Sequence, residues 1–161
     1  MEWLLLLDKS QEHKYKSNAS LGIYKHMTLQ YSANTRNAKL DAVETNAGTT
    51  PILTLRTGAA PADCATANSG TVVATMTLPS DWMAAASAGT KAKSGTWQDT
   101  SADASGTIAH FRIHNSGGTE CCLQGTVSNT GGGGDMTLDN TVVNSGQSIT
   151  ISTFVLTAGN A

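Results

Sequence analysis

Two histidines, His110 and His114, stand four residues apart with Arg112 between them, and they are the first candidates for a metal site. On a helix this spacing would bring both imidazoles to one ion, but the local alternation of apolar and polar residues predicts a strand. At a rise of roughly 3.3 Å per residue, the two side chains would share a face about 13 Å apart, too far to chelate one ion. We therefore expect a solvated or subunit-facing polar stripe and no metal.

Two pairs of aspartates could also do chemistry. Asp135 and Asp139 follow the glycine run at residues 131–134, but the loop lacks the alternating oxygen ligands of a calcium site and the lysine of a phosphate-binding loop. Asp99 and Asp103 could form a glycosidase pair, yet they lie in a turn-rich segment. The spacing predicts carboxylates that cap turns. With no hydrolase motif, we expect no enzyme and no cofactor.

Trp82 and Trp97 offer two interpretations. In a carbohydrate-binding module they would stack on sugar rings, whereas in a chain with only eight aromatic residues they are also the obvious anchors of a core. Core packing is the favoured prediction, with sugar binding as the alternative.

The three cysteines, Cys64, Cys121 and Cys122, are an odd number with two adjacent members. This is a poor disulfide framework and matches no zinc spacing. We expect buried or idle thiols.

The elements that must position these residues change in type along the chain. Ser32 and Gly48 are suited to bound a helix over residues 32–47, with Ala33, Leu40, Val43 and Ala47 on its apolar face. From Pro51 onward, period-two alternation between turns predicts seven strands, at residues 52–57, 71–78, 92–98, 107–114, 121–128, 135–139 and 148–157. The predicted fold is all-β, a two-sheet antiparallel sandwich with one short N-terminal helix, and a jelly roll is a topology that fits.

Alternation within the strands assigns faces to side chains. In the fourth strand, Ala109, Phe111 and Ile113 should face opposite to the histidines. In the fifth, Cys121 should point inward with Leu123 and Val127, and Cys122 outward. The last strand changes phase, which predicts a bulge near Ser152 or an end covered on both faces.

The bulk composition favours one domain with an uncharged polar surface. Only 14% of residues are charged, against roughly 25% in average soluble proteins. The formal charge of −2 and the pI near 6.0 argue against direct nucleic-acid binding. No apolar run reaches the roughly 18 to 20 residues of a membrane-spanning helix, so no membrane partner is expected.

The sequence divides at Met27. Residues 1–26 hold four of the ten lysines and arginines and three of the eight aromatic residues. One hypothesis is that Met27 is the natural start and that residues 1–26 are a leader or upstream sequence. The other is a real N-terminal arm that reaches a neighbouring subunit. The expected organisation is an extension at 1–26, an arm and helix at 27–48, and a β-sandwich at 49–161.

The motif LPSDWMAAASxGxKAKSGTWQDTSADAxG at residues 78–106, followed by HFRI at 110–113, resembles a family of small proteins encoded in tailed bacteriophages and prophages. The resemblance runs from about Met27 to Ala161. It implies a virion structural protein assembled in the bacterial cytoplasm, with a capsid cement or decoration protein as the favoured role. A neck or tail component and a host-glycan-binding appendage are the alternatives.

This role implies contacts with other copies of the chain and with the major capsid protein. Residues 30–43 and 82–93 are the expected contact surfaces, because burying uncharged surface avoids the desolvation cost of charges. The predicted interface residues are Leu40, Val43, Trp82, Met83, Lys91, Lys93, His110, Arg112 and His114.

Overall fold

In the part of the chain that the structure describes, one helix precedes the strands. The computed structural model describes residues 29–159, of which 31–159 belong to one compact unit. Helix α1 spans Ala33–Ala47. The Ser32 hydroxyl accepts a hydrogen bond from the Thr35 N–H at 3.2 Å, and the Gly48 N–H donates to the carbonyl of Glu44 at 2.9 Å. Both predicted ends of the helix are therefore confirmed. The proposed extension at 1–26 and the seam at Met27 lie outside the described residues.

Within residues 29–159, the regular structure consists of this helix and ten strands, so the fold there is all-β apart from the helix. The strands are β1 Ile52–Thr57, β2 Val72–Thr77, β3 Thr90–Ala92, β4 Trp97–Asp99, β5 Gly106–His114, β6 Cys121–Asn129, β7 Met136–Leu138, β8 Val142–Val143, β9 Ile149–Ile151 and β10 Val155–Thr157. The central sheet has the order β2-β1-β5-β6-β7, with β8 also paired to β5. Strands β3 and β10 form a second pair, and β4 and β9 a third.

The core lies between the central sheet and the two smaller pairs. Leu53, Leu55, Phe111 and Ile113 project from the sheet and are fully buried. A row of four aromatic rings crosses from the smaller pairs to the sheet, with centroid distances of 5.8 Å for Trp82–Trp97, 5.5 Å for Trp97–Phe154 and 5.6 Å for Phe154–Phe111. Facing layers joined by such a core are consistent with the predicted all-β sandwich. The jelly-roll topology is not confirmed by this strand order.

Two predicted strands are each interrupted. Residues 92–98 and 148–157 pair with each other along most of their length, but four residues at 93–96 lie opposite three at 152–154. This mismatch breaks each predicted strand in two and gives β3, β4, β9 and β10. It also explains the phase change near Ser152, because Ile151 and Phe154 both enter the core.

The pairing of β6 with β7 departs from the expected antiparallel arrangement. These strands run parallel, with Val127 opposite Met136 and Asn129 opposite Leu138. Only residues 130–135 connect them, whereas parallel neighbours usually need a connection of about a dozen residues or more. Strand β8 was not predicted from the sequence, since two residues are too short for a periodic signal.

Candidate functional site

The polar face of the central sheet is covered by residues 58–70, called here the covering segment, which connect β1 to β2. Pairing of β1, β5 and β6 puts Arg56, His110 and Arg112 on this face. His110 is 0% exposed, Arg112 1% and His114 7%. The predicted solvated or subunit-facing stripe is therefore wrong, because the chain's own covering segment buries it.

Arg112 holds the covering segment through its guanidinium group. Nη1 donates to the Thr66 carbonyl and to Asn68 Oδ1, both at 2.9 Å. Nη2 donates to the Cys64 carbonyl at 2.8 Å, and Nε points to Cys121 Sγ at 3.1 Å. Burying a cation is costly unless its donors are satisfied, and here carbonyl oxygens do so in place of a carboxylate partner. The planar fork of arginine suits this arrangement in a way that lysine does not.

Other polar side chains extend the same attachment. Arg56 Nε donates to the Ser69 carbonyl at 2.8 Å, and Gln124 Nε2 to the Pro61 carbonyl at 2.8 Å. His110 Nδ1 lies 2.9 Å from the Gly58 carbonyl. Side chains of the sheet thus form hydrogen bonds with backbone carbonyls along nearly the whole covering segment. Within the described residues, His110 Nε2 and Gln124 Oε1 are buried without a hydrogen-bond partner.

Burial, together with the nearby positive charges, shifts the pKa of two titratable groups on this face. Burial, with the nearby charges of Arg112 and Arg56, lowers the pKa of His114 below its ordinary value of 6.5. Burial, with the charge of Arg112, also lowers the pKa of Arg56. His114 is therefore held in its neutral form at pH 7.

The covering segment brings two cysteines together. Cys64 Sγ lies 3.2 Å from Cys121 Sγ, although 57 residues separate them in sequence. A bulge in the β5–β6 pairing aligns His114 with Cys121 and Ile113 with Leu123. The predicted orientation of the adjacent thiols is therefore reversed: Cys121 lies on the polar face, while Cys122 packs against the core.

A second candidate site is the groove between α1 and residues 80–85, with a volume of about 600 Å³, called here the helix groove. Lys91 lies in its wall and is 2% exposed. Its ammonium is 2.7 Å from Asp41 Oδ1 and 2.8 Å from Glu44 Oε2. Burial alone would lower the pKa of Lys91, but hydrogen bonds to these two carboxylates outweigh it and raise the pKa. The pairing ties α1 to β3.

The structure places the remaining predicted contact residues inside the subunit. Leu40 is buried, Val43 is half-buried against the core, and Trp82 and Met83 are 0% and 1% exposed. Lys93 is half-buried and donates to the Gly95 carbonyl at 2.7 Å. The predicted contact surfaces 30–43 and 82–93 lie against each other, joined by the Lys91–Asp41 ion pair and by the Gly89 N–H bond to Asn37 Oδ1. Trp82 and Trp97 are both fully buried, so neither ring is accessible to stack on a sugar in this conformation.

The aspartates accept hydrogen bonds from strand residues at the margins of the central sheet. Asp99 Oδ2 accepts from the Thr75 N–H at 3.1 Å and Asp103 Oδ2 from the Thr75 hydroxyl at 2.8 Å, on edge strand β2. Asp135 Oδ2 accepts from both the N–H and the hydroxyl of Thr126 at 2.8 Å, and these bonds lower the pKa of Asp135. Because the backbone N–H groups of Thr75 and Thr126 already donate to these aspartates, they are not free to pair with a strand of another chain.

Among residues 29–159, no three His, Cys, Asp or Glu side chains are placed to hold a metal ion. In the same stretch, no helix has the length and apolar character needed to cross a membrane.

Sequence reasoning did not identify Arg56, Gln124 or the Cys64–Cys121 contact. Strand alternation carried a signal for the first two, since both fall on the same face as Arg112 once β1, β5 and β6 are paired. Cys64 lies in a loop, where no periodic pattern predicts its neighbour.

Comparison with known proteins adds no relative. No protein-family model, no curated protein and no solved structure matches this chain.

Proposed function

We propose that this chain is a non-enzymatic structural protein of a tailed-bacteriophage particle, a capsid decoration or cement protein that binds the capsid lattice and reinforces it. The sequence resemblance supplies the setting. The observation that carries the role is the outer face of α1, an exposed strip of small or neutral residues on a helix that the buried ammonium of Lys91 anchors to the β-domain.

The outer face of α1 lies opposite the residues first predicted to make contacts. With the exposed charged residues Lys39 and Asp41 at its two margins, a strip of small or neutral exposed residues recurs there at helical spacing: Asn34, Thr35, Ala38, Ala42, Thr45 and Asn46. The residues of this strip carry no charge to desolvate, and its short side chains lose little conformational entropy on binding. The face therefore suits a lattice contact better than Leu40 or Val43, which are already packed inside.

The way α1 is fixed also supports an assembly role. Lys91 binds Asp41 and Glu44, while Asn37 Oδ1 accepts from the Gly89 N–H at 2.8 Å. Arg36 Nη1 donates to the Ala158 carbonyl at 3.3 Å. A helix held at several points presents its outer face in one orientation, so little ordering remains to oppose association. Our proposed partner for this face is the major capsid protein.

The test is co-sedimentation of the purified chain with capsids that lack it, followed by electron microscopy of the pellet. We expect stoichiometric binding with density over the whole lattice. The double variant Ala38→Arg/Ala42→Arg adds bulk and charge to the outer face without touching the core, and should weaken binding at least tenfold. Ala67→Arg, at an exposed alanine of the covering segment, is the matched control and should bind normally.

Each other outcome is informative. Density at a single vertex would support a neck or tail component in place of a decoration protein. Absence of binding, with the chain shown to be folded, would contradict the proposal. Equal loss of binding in the double variant and the Ala67 control would reject the outer face of α1 as the contact.

A further inference from the structure

The two thiols beneath the covering segment are positioned before any reaction takes place. Cys64 Sγ and Cys121 Sγ are 3.2 Å apart, and both residues are half-buried. A disulfide has a sulfur–sulfur distance of about 2.04 Å, so the pair must close by only about 1 Å. Such closure is within the reach of side-chain rotation.

One guanidinium group fixes both cysteines. Arg112 Nη2 donates to the Cys64 carbonyl at 2.8 Å and thereby sets the backbone of the covering segment. Arg112 Nε lies 3.1 Å from Cys121 Sγ and sets the other thiol. The two sulfurs are therefore held close together by Arg112, which is itself buried and fully hydrogen-bonded, and not by a contact at the protein surface.

We infer that Cys64 and Cys121 are a site of covalent modification, forming an intramolecular disulfide when the folded protein meets a small-molecule disulfide oxidant. One thiol loses its proton to solvent, and its thiolate attacks a sulfur of the oxidant, expelling one small thiolate. The second cysteine, deprotonated in turn, attacks the protein sulfur of this mixed disulfide and expels the other small thiolate. Two electrons pass from the protein to the oxidant, and the two released thiolates take up the two protons.

The environment sets the rate of this reaction. Burial and the neighbouring Cys121 thiol raise the pKa of Cys64 to about 11, against the smaller opposing effect of Arg112. The thiolate is the reactive form of a cysteine. Because the pKa of Cys64 is about 11, only a small fraction of this residue is thiolate at neutral pH. The bond should form slowly at pH 7, and its rate should rise about tenfold per pH unit between pH 7 and 9 if Cys64 is the attacking thiol.

The disulfide would fasten the covering segment to β6 by a covalent bond. It would close a loop between residues 64 and 121, and constraining the unfolded chain in this way is the usual source of disulfide stabilisation. For a loop of this size we expect the melting temperature to rise on the order of 10 °C. This inference is independent of the proposed virion role, because it concerns only the folded chain and an oxidant.

The experiment treats the full-length protein with oxidised glutathione at pH 8, with reduced glutathione as the reference. Peptides are then mapped by mass spectrometry without reduction, and the melting temperature is measured. We expect a Cys64–Cys121 cross-linked peptide and the increase in melting temperature. Cys122→Ser is the matched control, since this third half-buried thiol packs on the other face of the sheet, and it should retain both results.

Cys64→Ser and Cys121→Ala should each abolish the cross-link and the thermal shift. Two variants are used so that a folding defect in one does not decide the outcome. A Cys121–Cys122 cross-link, or stable mixed disulfides with glutathione at Cys64 and Cys121 without closure, would overturn the inference.

Discussion

Lys91 on β3 directs its ammonium to the Asp41 carboxylate of α1 at 2.7 Å, with the lysine side chain 2% exposed and the aspartate side chain 52% exposed. The cation is therefore buried while its partner stays in contact with water. This hydrogen bond is the main cause that lowers the pKa of Asp41. The helix is thus attached to the β-domain by charge as well as by the apolar contacts of Val43 and Ala47 with the core.

Replacement of Lys91 tests that attachment. Lys91→Met keeps the aliphatic stem but removes the ammonium that binds Asp41 and Glu44. We expect a loss of about 1–2 kcal/mol in the free energy of unfolding, because charged hydrogen bonds are lost while both carboxylates can still be hydrated. Urea denaturation measures the change. Lys93→Met is the matched control, with a loss under about 0.5 kcal/mol, and equal losses would reject a special role for Lys91.

Arg112 should be intolerant even of lysine. Arg112→Lys keeps the positive charge but loses the fork that reaches Thr66, Asn68 and Cys64 together. We expect a loss of about 3 kcal/mol in unfolding free energy, since the buried side chain at position 112 would lose several part-buried charged hydrogen bonds at once. Arg36→Lys serves as the control, because within the described residues the hydrogen bond of the Arg36 guanidinium goes to one acceptor, the Ala158 carbonyl. A loss below about 1 kcal/mol for Arg112→Lys would show that lysine or water replaces these bonds.

Stability should fall as the pH drops below about 6.5. The pKa of His114 is lower in the folded chain than its ordinary value, so the unfolded chain binds the proton more readily in this range. The contribution of neutral His114 is complete above the ordinary pKa and is lost as the pH falls toward the folded pKa. Urea midpoints at pH 7.5 and 5.5 measure this, and His114→Gln should remove most of the difference.

A separate loss of stability should follow at lower pH. The pKa values of Asp41, Asp63 and Asp135 are all lowered, chiefly by hydrogen bonds to Lys91, Thr66 and Thr126 respectively. Their contributions are lost only below about 3.8. If the urea midpoint of His114→Gln changes between pH 7.5 and 5.5 as much as that of the unsubstituted protein, a group other than His114 causes the loss of stability in that range.

Gly125 should resist the smallest substitution. A Cβ at this position would lie 2.7 Å from Phe111 Cε1 and 2.9 Å from Asp135 Oδ2. We expect Gly125→Ala to cost about 1–3 kcal/mol in unfolding free energy, because the ring of Phe111 belongs to the buried aromatic row and has little room to shift. Gly117→Ala is the control, since its nearest contacts are at an ordinary 3.7 Å and stability should be nearly unchanged. A normal melting temperature for Gly125→Ala would mean that the sheet adjusts.

Local signals allowed the elements to be predicted well. The helix has a hydroxyl at one end and a glycine at the other, and strand β1 was predicted at its observed limits. These features depend on neighbouring residues only. The core role of Trp82 and Trp97 followed from the scarcity of aromatic residues, which leaves few other side chains large enough to fill the space between layers.

Long-range packing was the part that sequence could not provide. His110, Arg112 and His114 were correctly placed on one face, but whether that face meets water depends on a loop that carries no periodic signal. The same limit hid the contact between Cys64 and Cys121. A one-residue bulge was enough to exchange the orientations of Cys121 and Cys122, because side chains alternate with every residue of a strand.

The short connection between the parallel strands β6 and β7 has a consequence for how much variation this region tolerates. Gly131 and Gly133 adopt positive φ angles of 85° and 78°, while a Cβ on Gly132 or Gly134 would meet Ser128 within 2.9 Å. The positive φ angle disfavours other residues at Gly131 and Gly133, and the lack of space disfavours them at Gly132 and Gly134. In a saturation mutagenesis library, this run of four glycines should therefore be depleted of substitutions as strongly as the buried core, although its composition is that of an interchangeable linker.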